Sequence, residues 1–92
     1  MTSYEFEVAA KNALIKLIKE RYGEEYSVHE IHFTSFSHVL GDKKATLIDS
    51  GNNARYYEVT YDRINNALYV DMYEKQRNVR IPGEEIDFTV RN

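Results

Sequence analysis

The stretch "RYYEVTYDRINNALYVDMYEK", Arg55 to Lys75, decides the fold, and it holds five of the chain's eight tyrosines. Two runs of period-two alternation flank a polar turn, the pattern of an antiparallel hairpin. A two-residue turn at Asn65–Asn66 and a four-residue loop from Ile64 to Ala67 give the same pairing. Tyr56 then faces Lys75, Glu58 faces Tyr73, Thr60 faces Asp71, and Asp62 faces Tyr69. On the other side Tyr57, Val59 and Tyr61 share a face with Val70 and Met72. Both strands agree on which side is apolar, and a one-residue slip would destroy that agreement. Tyr57 and Tyr61 are therefore expected in the core. Tyr56, Glu58, Asp62, Tyr69, Asp71 and Tyr73 are expected on the outside.

Upstream, the spacing predicts a helix from about Ser3 to Tyr22. Ser3 or Thr2 can cap it, and Thr2 with Glu5 has capping-box spacing. Gly23 supplies the stop. Phe6, Ala10, Ala13, Leu14, Leu17 and Ile18 fall on one face, with Asn12, Lys16, Lys19 and Glu20 opposite. Beyond Gly23 the period becomes two. Tyr26 to Leu40 reads as a long strand whose apolar parity changes near His29 and Glu30, as at a bulge. Gly41–Asp42 is a turn signal, "KKATLIDS" the next strand, and "GNN" turns the chain again. No register of this first hairpin sorts Phe33, Phe36, Leu47 and Ile48 onto one face. After the hairpin come "NVRI", a Pro82–Gly83 turn, and a tail in which Ile86, Phe88 and Val90 alternate as in a short strand. The predicted class is α+β: one N-terminal amphipathic helix packed on a four- to five-stranded antiparallel meander sheet.

Ninety-two residues make one domain, spanning 1–92, because a second core does not fit. The net charge of −3 supplies no overall cationic field for nucleic acid. With no cysteine, disulfides, thiol nucleophiles and thiolate metal sites are excluded, which favours a reducing compartment. No run approaches the roughly 20 apolar residues of a membrane span. The acidic, amphipathic N-terminus is unlike a signal peptide. A cytoplasmic location is the expectation.

Helix first, then hairpins ending in "YYEVTYDRINNALYVDMYE", resembles the small PepSY and cystatin-like domains over about Ala9 to Glu74. In those domains a strand of type Y-E-V-x-Y/V-D is followed by a polar turn and a second V-D-containing strand. The chain departs from them in carrying Asn65–Asn66–Ala67 in place of an Asp/Asn-Gly turn, and the secretion signal common among PepSY proteins is not expected of its acidic N-terminal stretch. The resemblance implies a non-enzymatic binding or inhibitory domain. The cystatin Q-x-V-x-G loop signature is absent, so protease inhibition is not implied.

The chemistry-bearing residues point the same way. His29, Glu30, His32 and His38 invite a metal reading. On a strand, His29 and His32 point to opposite faces, and His32 and His38 share a face roughly 20 Å apart. No metal or other cofactor is expected. Ser35 and Ser37 alternate with histidines along a strand, with no carboxylate placed behind a base, so no catalytic residue is assigned and the chain is not expected to be an enzyme. Tyr56, Tyr69 and Tyr73 could stack bases, but Glu58, Asp62 and Asp71 among them repel phosphate. Lys43, Lys44, Arg55 and Arg63 read as solvated turn residues. The expected function is binding of another protein, as adaptor, inhibitor or regulator, through Tyr56, Glu58, Asp62, Tyr69, Asp71 and Tyr73. A homodimer contact is a variant of that reading. The alternatives are single-stranded nucleic-acid binding through the sheet aromatics, and a phage- or immunity-type inhibitor that mimics nucleic-acid charge.

Overall fold

In a computed structural model, residues 1–51, 55–73 and 77–91 are described. The helix α1 spans Ser3–Tyr22. Its capping box forms as the spacing predicts: Glu5 N–H donates to Thr2 Oγ1 at 3.0 Å, and Thr2 N–H donates to Glu5 Oε1 at 2.7 Å. Gly23 ends it in the left-handed region at φ 70, its N–H bonded to the Lys19 carbonyl. Five antiparallel strands follow as a meander in the order β1 (Ile31–Val39), β2 (Asp42–Asp49), β3 (Tyr56–Asp62), β4 (Ala67–Met72) and β5 (Arg77–Pro82). The fold is α+β, with one helix against a five-stranded sheet.

The helix buries Phe6, Ala9, Ala10, Ala13, Leu14 and Ile18 against Leu47, Tyr57, Val59, Leu68, Val70 and Met72. Each fully buried large aliphatic or aromatic side chain contributes about 1.5–3 kcal/mol. Tyr57 and Tyr61 lie in this core, as their parity requires. Leu17 is only half-buried, at the side of the helix. Asn12, expected on the wet side, is buried instead. The C-terminal tail crosses the helix there, and Asn12 Nδ2 donates to the carbonyls of Asp87 and Thr89 at 2.9 and 2.8 Å. That tail is not the strand its alternation predicts. It leaves β5 through a short 3₁₀ turn at Gly83–Glu85, and its carbonyls are taken by the helix rather than by the sheet.

Three further details differ from the sequence reading. The long strand from Tyr26 is broken: Val28–Glu30 forms a 3₁₀ turn and the strand begins at Ile31. The bulge lies between Phe33 and Ser35 rather than at His29 and Glu30. It resets parity, so that Phe33 faces Leu47 and Phe36 faces Ala45, both on the helix side, while Ile48 stays outside. The same reset sends His32 and His38 to opposite faces, the former opposite Ile48 and the latter opposite Lys43.

The β3–β4 hairpin keeps both predicted faces but is displaced by two residues. Tyr57 faces Met72, Glu58 faces Asp71, Thr60 faces Tyr69 and Asp62 faces Ala67. The pairing of Tyr56 with Lys75 falls outside the described residues; Tyr56 has Tyr73 beside it. Turn chemistry sets the displacement. Asp62 Oδ1 accepts from the N–H groups of Ile64 and Asn65, Asn66 takes φ 46, and Tyr61 donates to Asn66 Oδ1 at 2.9 Å. The loop is thus Arg63 to Asn66, one residue earlier than the four-residue alternative.

Candidate binding face

α1 covers one face of the sheet, and the other face carries the predicted residues. Reading across the strands, one row is His32, Ile48, Tyr56 and Tyr73. The next is Ser35, Thr46, Glu58 and Asp71, and the third is Ser37, Lys44, Thr60, Tyr69 and Arg80. Five of the six candidates, Tyr56, Glu58, Tyr69, Asp71 and Tyr73, are brought together in these rows. Asp62 lies at the turn end, held by Asn65, and its hydrogen bonds to the Asn65 side chain and backbone keep its carboxyl below the ordinary value.

The two-residue displacement changes what the tyrosines do. Tyr56 and Tyr73 stack with ring centroids 4.5 Å apart and planes within 4°. The Tyr73 hydroxyl reaches diagonally to donate to Glu58 Oε1 at 2.6 Å. Lys44 Nζ approaches Glu58 Oε2 at 3.4 Å. Tyr69 stands apart, its hydroxyl accepting from Arg80 Nε at 3.3 Å. Lys44 and Arg80 therefore interleave with the acids, and the face is a mixed lattice rather than a purely carboxylate one. Lys44 is not the solvated turn residue its position next to Gly41–Asp42 suggests; register places it mid-face.

The hydrogen bond from Tyr73 holds the Glu58 carboxyl below its ordinary value, with Lys44 adding to the effect. Reciprocally, Glu58 pushes the Tyr73 phenol from 10.0 up to about 12. A raised folded value stabilises the fold fully below about pH 10, and that contribution is lost as pH rises toward 12. In tyrosine-ring NMR titrations Glu58→Gln is expected to bring the Tyr73 midpoint down toward 10. A midpoint that stays where it was would assign the shift to something other than this contact.

The sequence reading missed a buried ionic cluster at the other end of β3. Arg55, read as a solvated turn residue, has a side chain only 3% exposed. It pairs with Glu24, lies 3.6 Å from Asp49 Oδ2, and sits 3.9 Å over the Tyr22 ring. Tyr57 donates to Asp49 Oδ2 at 2.6 Å, and Gly51 N–H donates to Asp49 Oδ1. Burial alone would lower the Arg55 guanidinium. The hydrogen bond to Glu24 and the surrounding charges outweigh it and hold the group above its ordinary value. Burial, then Asp49, drives the Tyr57 phenol far up. A signal for this cluster existed. Asp49 has the parity of Ala45 and Leu47, and Arg55 that of Tyr57 and Val59, so both were due on the core side. Lys43 is buried by the same parity, its Nζ 3.3 Å from His38 Nε2.

Among the described residues no three His, Asp or Glu side chains gather as a metal site. His32 Nε2 is hydrogen-bonded to Ser50 Oγ at 3.0 Å. A cleft of about 630 Å³ runs between α1 and β5, floored by Ala13, Leu17, Ile81 and Ile86. Two of its cations are already paired, Lys19 with Glu25 and Arg91 with Asp87. Among the described residues no helix is long and apolar enough to cross a membrane.

The profile of DUF6275, a family of unknown function, matches residues 7–83. The chain belongs to the DUF6275 family. No curated protein and no solved structure matches it significantly. In this DUF6275 chain the matched span contains α1 from Glu7 onward, all five strands, every residue of the open face and the Arg55 cluster.

Proposed function

We propose that this chain is a small non-enzymatic binding domain that takes another protein on its open sheet face, as adaptor, inhibitor or regulator. The observation that carries the reading is the Tyr56–Tyr73 stack, anchored by Glu58 on the side of the sheet that the helix leaves bare. Stacked, hydrogen-bonded rings lose little further freedom on binding, and tyrosine supplies large contact area at low entropic cost. Tyr69 with Arg80, and Glu58 with Lys44, supply polar groups of both signs around them. The likeness to PepSY and cystatin-like domains belongs to the same proposal, as does a cytoplasmic location for a cysteine-free chain.

The test uses the chain as bait, with the double variant Tyr69→Ser, Tyr73→Ser beside it. Cross-strand pairs contribute roughly 0.2–1 kcal/mol each, so the variant is expected to keep its circular dichroism spectrum. It is expected to lose the proteins that the wild type retains, whereas Tyr4→Ser, on the exposed helix surface, keeps them. Equal retention by all three would sink the reading. One observation favours a second reading, single-stranded nucleic acid: Lys44 and Arg80 share the face with the three tyrosines. It predicts quenching of tyrosine fluorescence by oligonucleotides, with steep salt dependence.

A further inference from the structure

We infer that the chain forms a two-fold dimer through the free edge of β1, joining two sheets into one of ten strands. β1 pairs with β2 on one side and, among the described residues, with no strand on the other. Natural edges are guarded by charge, proline or bulges. From Ile31 to Gly41 there is no Lys, Arg, Asp, Glu or Pro. The other edge strand, β5, carries Arg80 and ends in Pro82. The one guard on β1 is its bulge, which lies between Phe33 and Ser35 and leaves Ser35 to Val39 regular.

Coverage of β1 is also incomplete. Core-side residues of β2, β3 and β4 are buried in strict alternation, but from Thr34 to Leu40 every residue is exposed on both faces. Phe36, on the helix side, is 45% exposed, although its ring lies 5.6 Å from that of Phe6. Beside it opens a dent of about 310 Å³ lined by Ser3, Glu7, Phe33 and Phe36.

The occupant that fits is a second copy. The regular stretch is centred on Ser37, so a two-fold axis through Ser37 sets two such stretches antiparallel in full overlap. Ser37 then faces Ser37 of the second copy, Phe36 faces its His38, and Ser35 faces its Val39. The reset parity matters here: Phe36 and His38 both lie on the helix side, Ser35 and Val39 both on the open side. Every pair therefore meets on one face, and no like charges oppose each other. Pairing brings the second copy's His38 over Phe36, at the mouth of the dent. A charged foreign strand would leave its charges against an uncharged edge, which the copy does not.

Light scattering on the full chain, from micromolar to millimolar concentration, tests this. Wild type is expected to pass from monomer to dimer. Ser37→Lys places two like charges on the axis at an exposed position and is expected to weaken association at least tenfold. Mixing Ser37→Lys with Ser37→Glu is expected to restore the dimer as a heterodimer. The Tyr69→Ser, Tyr73→Ser variant is expected to dimerise like wild type, which separates this edge contact from the open-face reading. If Ser37→Lys does not fold, Ser35→Lys serves in its place. A wild type that stays monomeric, a lysine variant that dimerises unchanged, or a charge-swapped mixture that stays monomeric would each overturn the inference.

Discussion

Arg55→Ala is expected to lower the free energy of unfolding by about 3–5 kcal/mol, the range for breaking a buried ion pair. The guanidinium and the Asp49 carboxylate are 3% and 2% exposed, so the loss is not cushioned by water. Removing Arg55 leaves Asp49 with the Tyr57 hydroxyl and the Gly51 N–H, two neutral donors in place of a cation. It also removes the planar cation that packs over the Tyr22 ring and holds Glu24, tying the end of α1 to the β2–β3 end of the sheet. Urea unfolding followed by circular dichroism measures the change. A loss below about 1 kcal/mol, the scale of a surface pair, would show that the cluster is solvated in solution.

Leu14→Ala is expected to cost about 2–5 kcal/mol, because the side chain is fully buried under the sheet and the cavity it leaves cannot drain to solvent. Leu17→Ala is expected to fall below that range. Leu17 borders the cleft between α1 and β5, so water can occupy part of the space it vacates. The same denaturation measurement on both variants checks the difference. Equal losses would mean that the helix is rotated on the sheet from the orientation described above.

The two leucines also show how far periodicity reaches. Both belong to one apolar stripe at 100° per residue, yet Leu14 is fully buried while Leu17 opens on the cleft between α1 and β5. Asn12 is the converse case. It lies on the polar side of the helix, and it is buried because a segment 75 residues later in the chain presents the Asp87 carbonyl to it. No local pattern contains that contact.

On the candidate face, the identity of the exposed residues was legible and their partners were not. Alternation assigned Tyr56, Glu58, Tyr69, Asp71 and Tyr73 to one side. It could not tell Tyr73 opposite Glu58 from Tyr73 beside Tyr56, because a slide of two residues preserves both faces. The slide is decided by the Asp62 carboxylate and by Asn66 in its left-handed conformation. The burial of Arg55 is not legible in its place beside a turn, because a cation there is usually solvated, whereas here Asp49 and Glu24 offset its desolvation.

The helix, its two caps, the antiparallel meander and the two faces of the β3–β4 hairpin are legible in the sequence. These rest on contacts within a few residues or on the period of side-chain direction, and both are written locally. Contacts between distant segments settle the bulge that turns Phe36 inward and the buried charges, because each depends on which strand or carboxylate lies opposite. The β3–β4 register, and with it the stack of Tyr56 on Tyr73, is set by the turn from Asp62 to Asn66, and period two is blind to a shift by its own length.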